Sequence, residues 1–275
     1  MSPARGLEIA ALLVVGVPAL VFGLRFVAYF ALRALRRPAP EDAEMRRRGE
    51  SLFLGQTPRQ AFVWAMAPLF RLLKKAHIHP NTLTLACLAI SVGAAVWIAT
   101  GDLLLGGLFG LLGSSLDYLD GRMARATGQA SRAGGFLDST LDRYSDIAFL
   151  SGAAVLFRDS VPMLVASLLA LGSGGVISYT RAKAESLAVE LKVGLMQRPE
   201  RVVLFCSGAI FDSSADILLP VSWRGHHALF GTAVAILAVL STATAVHRTI
   251  AGFKSLRRLD ETRLKTPPPA SPPPP

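Results

Sequence analysis

Apolar residues in this chain come in long runs, without the alternation of a half-buried strand, at 7–32, 83–99, 103–116, 147–157, 162–179, 202–219 and 228–246. A helix crossing the hydrocarbon of a bilayer needs about 20 mostly apolar residues, so these runs predict membrane helices. Two of them, 103–116 and 147–157, reach that length only if their helices continue through the polar stretches beside them. The run at 202–219 contains Asp212, Ser213, Ser214 and Asp216. Its span is expected to begin near Pro199 and end near Phe211, with a loop after it. The pattern changes at 57–79, where Phe62, Met66, Leu69, Phe70 and Leu73 recur at helical spacing, with Arg71, Lys74 and Lys75 toward the end. That spacing predicts an amphipathic helix lying in the membrane interface, with an ordinary packing helix as the plain alternative.

The same pattern divides the chain into an N-terminal membrane anchor (1–37), a charged linker with some helix around 41–48 (38–56), the interfacial helix (57–79), a transmembrane domain (80–250) and a cytoplasmic tail (251–275). The Pro-rich end of that tail, 266–275, supports neither a helix nor a strand ladder and is expected to be disordered. The first apolar run passes through Pro18 and Arg25 to Tyr29 with no small-residue cleavage site, so it reads as a retained anchor and not as a signal peptide. The fold class is therefore all-α and integral to the membrane.

Composition agrees, at 52% hydrophobic residues and a mean hydropathy of +0.45. The net charge of +10 adds an orientation. Placing 33–79, 117–137, 181–201 and 248–275 on one side gathers 24 of the 29 Lys and Arg there, which marks that side as cytoplasmic. The reading is a multi-pass protein of the cell's inner, cytoplasmic membrane. No basic stripe with interleaved aromatics appears, so the charge points to topology and anionic membrane lipids, and nucleic-acid binding is not expected. Cys87 and Cys206 lie in separate spans and read as buried, inert thiols. His77, His79, His226 and His227 read as surface or interface residues.

Chemistry concentrates at the cytoplasmic mouth. On a helix, Asp117 and Asp120 stand about 60° apart and Asp138 and Asp142 about 40° apart, so each pair shares one face. Carboxylates beside hydrocarbon are expensive to place and signal function. Four of them converging repel unless cations intervene, and an all-oxygen set suits Mg²⁺, Mn²⁺ or Ca²⁺ rather than zinc. Gly121 and Ala124 fall about 40° and 20° from Asp117 and leave open space on that face. Arg125, about 80° round, reaches an anion bound there through its guanidinium fork. Solvated helix ends with stray acids are the plain alternative, and a cation transporter using the carboxylates as an ion site is a rival of another class.

The spacing D-x2-D-G-x2-A-R-x8-G-x3-D-x3-D, running from Asp117 to Asp142 with Gly134 included, resembles the signature of the CDP-alcohol phosphotransferases, with every position filled. The resemblance spans roughly His79 to Arg248. It implies a six-helix transmembrane bundle of that family's type, here preceded by the interfacial helix and an extra anchor. It also implies a transferase that displaces CMP from a CDP-linked lipid, CDP-diacylglycerol foremost, using the hydroxyl of a polar alcohol. A two-metal site of Mg²⁺ or Mn²⁺ held by Asp117, Asp120, Asp138 and Asp142 follows from the resemblance, with Asp142 as general base. Gly121, Ala124 and Arg125, together with Asn81 and Thr84 of a Pro-Asn-x-x-Thr element, are then nucleotide-pocket residues, and a homodimer is the implied assembly. For Asn81 and Thr84 a plain helix start is the alternative.

The acceptor side is less decided. Arg198 and Arg201 share a helix face, with Arg181 and Lys183 expected across a short loop from them, and four cations at one cavity suit a phosphorylated alcohol. Positive-inside bias by itself puts cations at such places. The segments 178–185 and 197–201 resemble those of the bacterial phosphatidylinositol phosphate synthases within the family, which implies inositol phosphate as acceptor and Arg181, Lys183, Arg198 and Arg201 as its pocket. Glycerol 3-phosphate is the alternative acceptor. A further arginine late in the last span belongs to that pattern, for which His247 and Arg248 are the candidates.

Overall fold

The computed structural model describes residues 3–35, 37, 41–42, 46, 55–189, 191, 194, 196–216 and 225–265. Among them it contains eight helices and no strand: α1 (Pro3–Ala34), α2 (Gln56–Lys75), α3 (Pro80–Ala99), α4 (Leu103–Ala126), α5 (Arg132–Leu156), α6 (Val161–Ser186), α7 (Arg198–Asp216) and α8 (Ala228–Lys265). The expected helix around 41–48 and the Pro-rich end 266–275 lie largely or wholly outside the described residues.

Local signals start the helices where the chain turns. Pro80 stands in the first turn of α3, where its missing N–H is harmless, and the His79 ring accepts from the Asn81 N–H. Asp102 accepts from the Leu105 N–H to cap α4, and Ser131 accepts from the Gly134 N–H to cap α5. The two short apolar runs do continue through the aspartate stretches, as α4 and α5.

Helices α3 to α8 close a ring in the order α3, α4, α7, α8, α6, α5 and back to α3. Its interior is apolar, with Ala94, Ile98, Phe149, Phe205, Cys206, Phe230 and Val234 buried together. Both cysteines are buried and free. Backbones approach closely on the glycine face of α4: a Cβ on Gly107 would stand 2.9 Å from the Cys206 carbonyl oxygen, which only a small residue permits. The two aspartate helices, by contrast, touch each other sparingly and are joined through α3, which packs on both. That arrangement keeps a space open between α4 and α5 at the motif end.

Helices α1, α3, α4, α6 and α8 are long and apolar enough to cross a membrane. The Gly16–Ala34 part of α1 is little covered by protein, as befits a helix facing lipid. One boundary differs from expectation, and one helix continues well beyond its apolar run. α7 does not stop near Phe211 but runs to Asp216, because Asp212 is fully paired in the interior: His227 Nδ1 lies 3.0 Å from its Oδ2, and the Phe230 N–H donates to its Oδ1 at 2.9 Å. α8 continues past the apolar run at 228–246 into the tail and reaches Lys265, supported by an Arg257–Glu261 pair one turn apart. α2 packs on α1 and α4, burying Ala61, Val63, Ala65 and Met66, while Leu72 and its terminal cations stay exposed.

Candidate active site

Ser131, by capping α5, fixes where that helix begins and hence where Asp138 points; α4 presents Asp117 and Asp120 on its last three turns. The carboxylate oxygens of Asp117, Asp120 and Asp138 lie within 4.8 Å of one another. Asp120 is 3% exposed, and its Oδ2 is buried with no hydrogen-bond partner among the described residues. A buried carboxylate oxygen left unpaired beside two further carboxylates is a strong physical argument for a cation, since its desolvation is otherwise uncompensated. The donor set is all oxygen, so it fits a hard divalent ion such as Mg²⁺ or Mn²⁺.

Residues named for the nucleotide gather around the same space. Thr84 reaches the Asp120 carboxylate with its side chain and donates its hydroxyl to the Pro80 carbonyl at 3.1 Å. A Cβ added to Gly121 would meet only the Arg125 Nη1, at 3.4 Å, so the gap predicted there exists and Arg125 borders it. The Asn81 Oδ1 lies 3.5 Å from where a Cβ on Gly134 would stand, which draws α3 to the start of α5. Ala124 lies half-buried one turn beyond Asp120.

Asp142 stands outside the three-carboxylate group but is tied to it by Arg198. Nη1 of that arginine is 2.6 Å from Asp117 Oδ2 and 2.7 Å from Asp142 Oδ1, while Nε is 3.3 Å from Asp146 Oδ1. Arg201 Nη2 bonds Asp146 Oδ2 at 2.8 Å, and Arg143 approaches Asp142 at 3.7 Å. The four acceptor-side cations are thus in two situations. Arg201 is buried and Arg198 half-buried against aspartates, whereas Arg181 pairs with Glu185 at 2.8 Å and remains exposed, as does Lys183.

One residue of this network escaped sequence reasoning, and a second was named there only as one of two candidates. Asp146 continues the four-residue rhythm of Asp138 and Asp142 by one more turn, a signal present in the sequence just beyond the motif's last position. Arg248 is the arginine whose register was open: it is 7% exposed, donates from Nη1 to the Ile177 carbonyl at 3.1 Å, and has Arg181 and Arg201 as electrostatic neighbours.

The CDP-alcohol phosphatidyltransferase family matches this chain over residues 77–211. A phosphatidylinositol phosphate synthase of Mycobacteroides abscessus is 36% identical over 206 residues, covering 74% of this chain and 92% of the relative. An archaetidylinositol phosphate synthase of Methanothermobacter thermautotrophicus is 34% identical, with 64% and 83% covered. Among solved structures, the Mycobacterium tuberculosis phosphatidylinositol phosphate synthase with CDP-DAG bound superposes with a TM-score of 0.59 at 30% identity, over 68% of this chain and 92% of that one. The same enzyme in complex with manganese and citrate superposes equally, at 0.59. The rival transporter reading of the carboxylates falls away with these relatives. A ring of helices, a converged acidic cluster at one end of it and homology over nearly the whole length of its relatives lead to one conclusion: the chain belongs to the CDP-alcohol phosphatidyltransferase family, as a multi-pass membrane enzyme of metal-dependent phosphotransfer.

Proposed function

We propose that this protein transfers the phosphatidyl group of CDP-diacylglycerol to inositol phosphate and releases CMP. The observation that carries the reading is the convergence of Asp117, Asp120 and Asp138 within 4.8 Å beside the open Gly121 face. Relatives named for inositol phosphate transfer, and one solved with CDP-DAG, support the choice of both substrates.

In this reading Asp117, Asp120 and Asp138 would hold Mg²⁺ or Mn²⁺, with Asp142 standing beside them across Arg198. The metal supplies charge neutralisation at the diphosphate and at the departing CMP. Thr84 and Asn81 orient the nucleotide from α3, and the Gly121–Ala124 face lets it lie flat against α4 with Arg125 at its edge. Asp142 takes the acceptor hydroxyl proton as that oxygen attacks the β-phosphorus carrying the lipid, breaking its bond to the bridging oxygen, which leaves with CMP. Arg198 and Arg201, held by Asp146, with Arg181, Lys183 and Arg248 beyond them, form the cationic wall for the acceptor phosphate. Positive-inside bias supports a cytoplasmic-facing site in the inner membrane.

The test is CMP release from CDP-diacylglycerol by purified protein in detergent with Mg²⁺ or Mn²⁺. Inositol phosphate, glycerol 3-phosphate, serine and free inositol are compared in parallel. Release that requires inositol phosphate and vanishes on metal chelation is expected. Equal rates with unphosphorylated alcohols would refute the cationic wall, and preference for glycerol 3-phosphate would reassign the acceptor.

A further inference from the structure

The helix that carries Asp117 and Asp120 is gripped from outside the family-matched region 77–211. One contact is aromatic. Phe22 of α1 meets Phe62 of α2 at 5.7 Å between ring centroids, and Phe62 meets Tyr118 of α4 at 5.3 Å, both edge-on. Arg25 secures α1 to α2, with its guanidinium 4.1 Å over the Trp64 ring and Nη2 bonded to the Trp64 carbonyl at 3.1 Å.

The second contact is ionic and comes from the segment between α1 and α2. Asp42 is seated on α2 by reciprocal bonds with Gln60: its N–H donates to Oε1 at 2.7 Å and its carbonyl accepts from Nε2 at 3.0 Å. Its carboxylate bonds the Arg122 guanidinium, which lies 5.2 Å from the Phe70 ring centroid and 3.4 Å from the Tyr118 hydroxyl. The pair is mostly out of water, with side chains 25% and 18% exposed. Tyr118 and Arg122 share the face of α4 turned away from Asp120, at about 100° and 140° round from Asp117. Contacts on that face oppose rotation of the acidic face away from Asp138.

We propose that Asp42 is a positioning residue. By pairing Arg122 against α2 it sets the rotation of α4 about its axis, and so the spacing of Asp117 and Asp120 from Asp138. The N-terminal membrane helix and Asp42 thereby become a clamp on the metal site. This rests on reading Asp117, Asp120 and Asp138 as the metal ligands.

The experiment measures Mn²⁺ affinity of the purified full chain from the free-ion EPR signal, together with the Mn²⁺ dependence of CMP release. Asp42→Asn is expected to weaken Mn²⁺ binding and raise the half-saturating Mn²⁺ by about tenfold, the scale seen when support behind a ligand is lost, with kcat at saturating Mn²⁺ nearly kept. Asp42→Glu should restore affinity to within about threefold, which is under 1 kcal/mol. Arg122→Gln should match Asp42→Asn, and the double variant should be no worse than either single change, since one contact is removed in each. A loss of folded protein alone would lower the amount of active enzyme without moving the half-saturation point. Unchanged Mn²⁺ affinity in Asp42→Asn, or additive losses in the double variant, would overturn the clamp. Wild-type protein that binds Mn²⁺ but releases no CMP would instead overturn the functional reading and leave the clamp to the EPR result.

Discussion

Two buried aspartates at opposite ends of the helical ring are used in opposite ways. Asp212 is 2% exposed and has both oxygens occupied, one by the His227 ring and the other by the Phe230 N–H. Asp120 is 3% exposed, yet its Oδ2 has no partner among the described residues and two other carboxylates stand within 4.8 Å. The first is a carboxylate in the service of the fold, capping α8 where the helix dipole favours negative charge. The second is crowded with its own kind, which folding does not reward. Burial by itself therefore does not mark a site; an unpartnered buried carboxylate oxygen with two further carboxylates converging on it does.

The sharpest way to break the comparison is to neutralise each carboxylate. Asp120→Asn should reduce CMP release about 10³-fold by removing a metal ligand worth several kcal/mol in the transition state, and should leave the metal-free thermal midpoint unchanged or raised. A fall in that midpoint would show that Asp120 serves the fold after all. Asp142→Asn should lower turnover about 10²-fold or more while CDP-diacylglycerol binding, followed by titration, stays near wild type, as for loss of a general base. Unchanged turnover would reject that role.

Asp146→Ala lies between the two extremes. It takes the carboxylate from the buried Arg201 and one of three carboxylates from the half-buried Arg198, and should destabilise the protein by about 3 kcal/mol, besides weakening the response to the acceptor. Thermal unfolding in detergent and the acceptor KM would report the two effects. The smallest effect belongs to Asp212→Ala, a loss of about 2 kcal/mol of stability with turnover per folded molecule unchanged. Lost turnover in that variant would erase the distinction between the two ends.

Much of this was legible before any coordinates. The apolar runs located α1, α3, α4, α6 and α8, the helices long and apolar enough to cross a membrane, Pro80 marked a helix start, and the spacing of Asp117, Asp120, Asp138 and Asp142 pointed to one acidic face on each of two helices. Those features are local, governed by chain periodicity and by the first turn's unsatisfied N–H groups. The end of α7 was misjudged for the converse reason. Whether Asp212 breaks a span depends on His227 and Phe230 arriving from another helix, which no local pattern announces.

The same division holds at the site. The sequence by itself determined that carboxylates, a small-residue gap and an arginine share one face of α4, because side-chain direction along a helix follows from its pitch. Only the tertiary structure decided that Arg198 bridges Asp117 and Asp142, that Asp146 holds Arg198 and Arg201 together, that Arg248 turns inward, and that Asp42 reaches Arg122 across eighty residues of chain. Charge pairing is a matter of a few ångströms in space, and distance along the sequence carries no information about it until the helices have packed.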